Sequence, residues 1–244
     1  MQRKRGKKRS LWWVSAVFVT ILVWMNWPQK SSSNHYIAKA PSQNYSEGEL
    51  HSFWDMYLEQ PIHQSLLNQG IHPISEIRGH YGFLSNEVLR KYGRAFQVNY
   101  SPTYDPASRS VVGANKVVAG QPIIYIIVPA IYDQYLRWRM MYPENFTKRT
   151  VNSVVITVLH ELEHLYLDTS ENPPGSYSEL VDSEADTWFM TCRDVLSVFV
   201  RNGEPISPSD GLTYASWLKC GQTTGPCWTN EIRVQYAEVA GSFR

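Results

Sequence analysis

The segment Val154–Asp168, VVITVLHELEHLYLD, decides how this chain is read. Its apolar residues recur on almost every side of a helix, so the spacing predicts a largely buried helix from about Thr150 to Asp168. Within it, His160-Glu161-Leu162-Glu163-His164 matches H-E-x-x-H. Residues four apart share a helix face, so the His160 and His164 imidazoles can reach one ion. Glu161, next to His160, is placed to hold a water at that ion and take its proton. Burying two His and two Glu in an apolar helix is costly unless something satisfies them, and a metal does so.

A catalytic zinc takes three protein ligands and keeps one position open. The third is sought after the helix-breaking Asn172-Pro173-Pro174-Gly175, where Ser178–Phe189 reads SELVDSEADTWF. At about 100° per residue, Glu179, Asp182 and Asp186 share one face of a helix, and Glu184 points roughly opposite to Asp182. Glu179, Asp182, Glu184 and Asp186 are the carboxylates this segment offers.

HELEH followed by D-S-E-A-D-T-W-F resembles the zincin metallopeptidases of the gluzincin type, in particular the branch with E-x-E-A-D or E-L-Q-A-D on its second helix. Prenyl-protease-like and heat-shock-type peptidases belong to that branch. The resemblance covers roughly residues 120–200. It implies a zincin-like domain, bound Zn2+ and a peptide or protein substrate cleaved by metal-activated water. It also implies that the ligand position falls on Asp182, where the family has Glu, and that Asp186 hydrogen-bonds the first zinc histidine. Glu184 lies at the separation from His164 seen in thermolysin-like members. In such enzymes the strand before the active helix binds extended substrate by strand addition, which here implies Pro122–Val128. An oxyanion stabiliser is also expected, and Tyr177, His80, Tyr166 and Arg193 are candidates with none singled out.

The remaining composition narrows the function classes. The formal net charge of +1 conceals six basic residues among the first nine: Arg3, Lys4, Arg5, Lys7, Lys8 and Arg9. Without them the body is mildly acidic, which argues against nucleic acid as a partner. The cluster leads into Leu11–Trp27, LWWVSAVFVTILVWMNW, an uncharged run flanked by Trp12, Trp13, Trp24 and Trp27. As a helix it spans about 26 Å, slightly short of the hydrocarbon core. Positive-inside logic leaves residues 1–10 as a cytoplasmic tail and exports the rest. An uncleaved membrane signal-anchor over 11–27 is favoured, and a cleaved signal peptide giving a secreted form stands as the alternative.

Residues 28–49, rich in Ser, Gln, Asn and Pro, read as a flexible stalk, and residues 50–244 as the extracytoplasmic domain. In that domain, Leu50–Leu58 and Asn86–Tyr92 read as helical. Ala95–Tyr100, Ser110–Val118 and Pro122–Val128 read as strands, followed by helices at Ile131–Tyr142 and Ser178–Arg201. Residues 203–213 read as a loop, with helical pieces at Tyr214–Lys219 and Glu231–Ala240. That order is α+β, a small mixed sheet plus the H-E-x-x-H helix, behind an N-terminal transmembrane helix. Cys220 and Cys227 flank the turn-rich GQTTGP and are expected to form a disulfide in an exported domain, leaving Cys192 free.

The functional expectation is a membrane-anchored zinc metallopeptidase with Glu161 as general base. The rival is a non-catalytic, membrane-tethered structural or interaction domain with a degenerate zinc site, for which the Asp at the ligand position and the absence of a recognisable pattern in residues 28–120 are the grounds.

Overall fold

A 21-residue helix, α5 (Phe146–Tyr166), forms the centre of the structure, and most of its residues from Thr150 to Leu165 are buried. Val154, Val155, Val158 and Leu165 are fully buried, and Ile156 and Leu162 almost so. Only a helix with packing partners on several sides can bury such a surface. The computed structural model describes residues 45–77, 80–101, 112–167 and 175–237, all within the unit His35–Arg244.

The chain enters α1 (Glu47–Phe53), capped by the Ser46 hydroxyl, which accepts from the Glu49 amide. This start lies inside the segment expected as a stalk. A π-helical turn (Trp54–Leu58) leads into α2 (Glu59–Asn68), which packs on α5. Strands β1 (His72–Ile77) and β2 (His80–Leu84) follow, then α3 (Asn86–Tyr92) and β3 (Phe96–Ser101). Strand β4 (Gly113–Val118) and β5 (Gln121–Ile127) form a hairpin whose turn residues Ala119 and Gly120 both take positive φ. The sheet order is β1-β2-β3-β5-β4, with β3–β5 parallel and every other pair antiparallel.

Helix α4 (Val128–Met141) starts one residue before Pro129, which sits in its first turn where no amide partner is needed. Beyond α5 come α6 (Tyr177–Thr191), a second π-turn (Cys192–Leu196), α7 (Ser197–Arg201), α8 (Pro208–Lys219) and α9 (Pro226–Gln235). Helix α5 packs on β4 and β5, and on α6, α4 and α3.

The architecture corrects the expected one. It is a mixed α/β domain with a five-stranded sheet, larger than the small sheet expected. No helix among the described residues is long and apolar enough to cross a membrane. The span expected at 11–27, its basic tail and most of the stalk lie outside the described residues. The sheet is larger than expected because β1 and β2 carry Pro73 and Gly82 in place of an alternating apolar pattern; cross-strand pairing sustains them instead. Residues 203–213 are not all loop. Ser207 caps α8 by accepting from the Asp210 amide at 3.0 Å, its hydroxyl donates to Asp210 Oδ2 at 2.6 Å, and Pro208 opens the helix.

Helices α8 and α9 form a hairpin closed by the Cys220–Cys227 disulfide, with Cα atoms 5.7 Å apart. Cys192 is a buried free thiol. The hairpin docks on α6 through buried Trp228, whose indole donates to the Ala185 carbonyl at 2.6 Å.

Candidate metal centre

Two helices build the centre. Helix α5 presents His160 and His164 from one face, 6 % and 7 % exposed, with ring centroids 4.9 Å apart and nearly perpendicular planes. Helix α6 supplies Glu184, whose side chain is 12 % exposed. Glu184 Oε2 lies 3.4 Å from His160 Nε2, and Oε1 lies 3.3 Å from His164 Nε2. One donor atom from each of the three residues lies within 4.8 Å of the others. This buried His160, His164 and Glu184 group can hold a metal ion. Two imidazole nitrogens and a carboxylate oxygen are a donor set that divalent transition metals accept.

The far sides of both rings meet α6 as well. Thr191 Oγ1 lies 3.1 Å from His160 Nδ1, and Thr187 Oγ1 lies 3.0 Å from His164 Nδ1. The indole of Trp188 covers the His160 ring at a centroid distance of 4.2 Å. A step of four residues forward on α5 matches a step of four back on α6, so the helices run antiparallel here with their side chains in register.

Glu184 has a further partner. Tyr236, just past the end of α9, donates its hydroxyl to Glu184 Oε2 at 2.6 Å and accepts from Trp188 Nε1 at 3.0 Å. Burial and the Glu184 carboxylate hold the Tyr236 phenol well above its ordinary pKa, so it stays protonated as a donor. Burial alone would raise Glu184, but the two imidazoles outweigh it and hold the carboxyl far below the usual range. Burial likewise works to lower His164, but Glu184, Glu161 and Glu163 together push it up to about 9. Without metal, the pair is therefore an ion pair.

Glu161 faces the sheet edge. Its Oε2 accepts from Asn115 Nδ2 on β4 at 2.6 Å, and its side chain is 6 % exposed. The approach of β4 to α5 is close at Gly113, where a Cβ would fall 2.4 Å from Thr157 Cγ2 and 3.5 Å from Glu161 Cγ. A side chain there would separate the strand from the helix. Glu163, the other Glu of the motif, is raised to about 7 by burial and by the charges of Asp194 and Glu87.

Several expected roles fall differently. Asp182 is exposed and is not in the cluster; Glu184 is the carboxylate there. The reason is the α6 burial stripe: Val181 and Ala185 face the core, and Glu184 sits between them, while Asp182 and Asp186 are turned outward. Asp186, expected to hold a histidine, is exposed, and Thr187 and Thr191 stand at the imidazoles instead. Glu179 is committed to the helix start, where Ser176 caps its amide and its Oε2 accepts from the Gly175 amide at 2.7 Å.

Strand β5 is correspondingly an interior strand paired on both sides, so its edges are taken; the sheet edge beside Glu161 is β4. Of the oxyanion candidates, Tyr177 donates to the Arg233 carbonyl, Tyr166 pairs with Ser85, and Arg193 pairs with Asp194. The tyrosine at the cluster is Tyr236. Its signal in the sequence was weak, one of 15 tyrosines. Thr187 and Thr191 had a clearer one, since Glu184, Thr187 and Thr191 recur at helical spacing beside the buried stripe.

No family model, curated protein or solved structure matches this chain.

Proposed function

We propose that this chain is a zinc-dependent metallopeptidase that hydrolyses peptide bonds. The observation that carries the reading is Glu161: a buried carboxylate one residue from a metal-ligand set and held by an amide on a sheet edge. Zinc suits two imidazoles and one carboxylate, and when bound it supplies a Lewis acid that polarises a carbonyl and acidifies water. Glu161 then takes the proton of the attacking water and returns it to the leaving amine. Asn115 occupies Oε2 of Glu161, which leaves Oε1 for the proton and fixes the carboxylate's orientation. Tyr236 and the two imidazoles hold Glu184 ionised.

A peptide substrate is supported by the sheet. Strand β4 has a partner on one side only among the described residues, and its residues Gly113 and Asn115 adjoin Glu161. An extended chain laid along that edge by main-chain hydrogen bonds brings successive carbonyls to the site. The rival non-catalytic reading drew in part on an Asp at the ligand position; a Glu in the cluster weighs against that part.

The test is paired. Purified protein should carry or take up one zinc and hydrolyse a mixed peptide library. Glu161→Gln should keep the zinc, because Glu161 is not a ligand, and lose about 10²–10⁴ of the rate. Equal rates for the two proteins would make the peptidase mechanism wrong.

A further inference from the structure

We propose that Thr187 and Thr191 are the positioning residues of the metal centre: their hydroxyls accept the Nδ1 protons of His164 and His160 and lock both rings in the tautomer whose Nε2 lone pairs face Glu184. The proposal rests on reading the cluster as a metal site.

The argument is a proton count. A threonine hydroxyl has one hydrogen. Thr187 donates its hydrogen to the Ser183 carbonyl at 2.9 Å, and Thr191 donates to the Thr187 carbonyl at 2.9 Å. Each hydroxyl is left with lone pairs toward the histidine, so the ring nitrogen it faces must supply the proton. Nδ1 of both rings is then the N–H, and in a neutral imidazole the other nitrogen has the lone pair. Both Nε2 atoms lie within 3.4 Å of Glu184. With both Nδ1 protons committed to the threonines, a metal ion that replaces any proton on the facing side meets two Nε2 lone pairs and the Glu184 carboxylate together.

The geometry leaves little freedom for another arrangement. Both threonines have zero exposure, so water does not substitute for either hydroxyl. The i−4 bonds run within α6, so the helix that carries Glu184 also orients the acceptors for both rings. Thr187 follows Glu184 by three residues and Thr191 by seven, which keeps all three on one face. The partners are also neutral. A carboxylate in their place would add negative charge beside the ligands. With hydroxyls, a divalent ion is balanced by Glu184 and Glu161 alone.

The experiment uses the full chain, with zinc as the probe. Zinc affinity is measured by competition with a chromophoric chelator for wild type, Thr187→Val, Thr191→Val, and the corresponding Ser variants. Valine keeps the shape and removes the acceptor, whereas serine restores it. Each Val variant should bind zinc about 10–100-fold more weakly, and each Ser variant should return to within about threefold of wild type. In parallel, long-range nitrogen–proton NMR of zinc-loaded wild type should show His160 and His164 each with a proton on Nδ1 and none on Nε2; this measurement needs no variant to fold. Unchanged affinity in both Val variants, or protons found on Nε2, overturns the proposal while leaving the metal site standing. Wild type that binds no zinc overturns the metal reading itself, and this proposal with it.

Discussion

The side-chain amide of Asn115 donates to Glu161 Oε2 across 2.6 Å, linking the edge strand of the sheet to the motif helix at the residue that follows the first histidine. A hydrogen bond to a charged group contributes roughly 1.5–3 kcal/mol, and here it also sets the direction of the carboxylate. Asn115→Leu should therefore lower kcat/KM by about 10–100-fold and leave zinc affinity within about twofold, because no ligand is touched. Steady-state kinetics beside a zinc titration read both. A parallel loss of zinc would show that Asn115 acts on the ligands instead.

Among the carboxylates of α6, one alone should matter to the metal. Glu184→Gln should weaken zinc binding by at least about 100-fold, since it removes the charged ligand and leaves Tyr236 without its acceptor. Asp182→Asn and Asp186→Asn should change zinc affinity by less than about threefold, as both side chains are exposed. Glu179→Gln should act on the helix start, at a cost of about 0.5–2 kcal/mol in urea denaturation and not in zinc affinity. If zinc loss tracks Asp182, the assignment of Glu184 is wrong.

Gly113 is required by space. A methyl group there meets Thr157 Cγ2 at 2.4 Å, so Gly113→Ala should destabilise the fold by about 1–3 kcal/mol and reduce activity by shifting Asn115. Thr157→Ser removes Cγ2 and retains the hydroxyl that donates to the Ser153 carbonyl. The double variant Gly113→Ala/Thr157→Ser should regain at least half of the lost stability by thermal denaturation. Additive losses would mean that the clash lies elsewhere.

Metal and proton compete for His164. Its pKa in the metal-free protein is raised from 6.5 to about 9, burial notwithstanding, by the Glu184 charge. In chelator-treated protein this protonation stabilises the fold fully below about pH 6.5, and the contribution is lost as pH rises through about 9. Zinc must displace the proton, so zinc affinity should rise about tenfold per pH unit between 7 and 9. Competition titrations at three pH values check the slope; a flat profile would mean that His164 is already neutral at pH 7.

The disulfide closes a short loop, and the α8–α9 hairpin leads to Tyr236. Replacing both Cys220 and Cys227 by Ser should cost about 2 kcal/mol by the chain-entropy relation. Zinc affinity should fall less than in Tyr236→Phe, because Trp228 still anchors the hairpin to α6. Denaturation with and without a reductant, together with zinc titration, separates the two effects.

Legibility varied with how local the cause was. Asn86–Tyr92 was read as a helix with the bounds that the structure has, because its start at Ser85-Asn86 and its stop at Gly93 are local signals. Strands β1 and β2 were not read, since Pro73 and Gly82 hide them and their support comes from pairing with distant chain. The second half of α8 is legible at Tyr214–Lys219, while its first half reads as loop although Ser207-Pro208-Ser209-Asp210 has the form of a helix start. The carboxylate was ranked from a family pattern onto Asp182, while the burial stripe through Val181, Ala185 and Thr191 pointed to the Glu184 side.

The sequence by itself determined that His160, Glu161 and His164 lie along one buried helix, since four residues make about one turn and the surrounding residues are apolar on most sides. It also determined that Cys220 and Cys227 were near enough to bond across a six-residue turn. Only the tertiary structure decided which carboxylate faces the imidazoles, that Thr187 and Thr191 stand behind them, and that Asn115 and Tyr236 hold Glu161 and Glu184. Those partners come from three parts of the chain: Glu184, Thr187 and Thr191 from α6, Asn115 from β4 and Tyr236 from just past α9. Their distances are set by how α6, β4 and the α8–α9 hairpin pack on α5, and packing depends on side chains far apart in the chain.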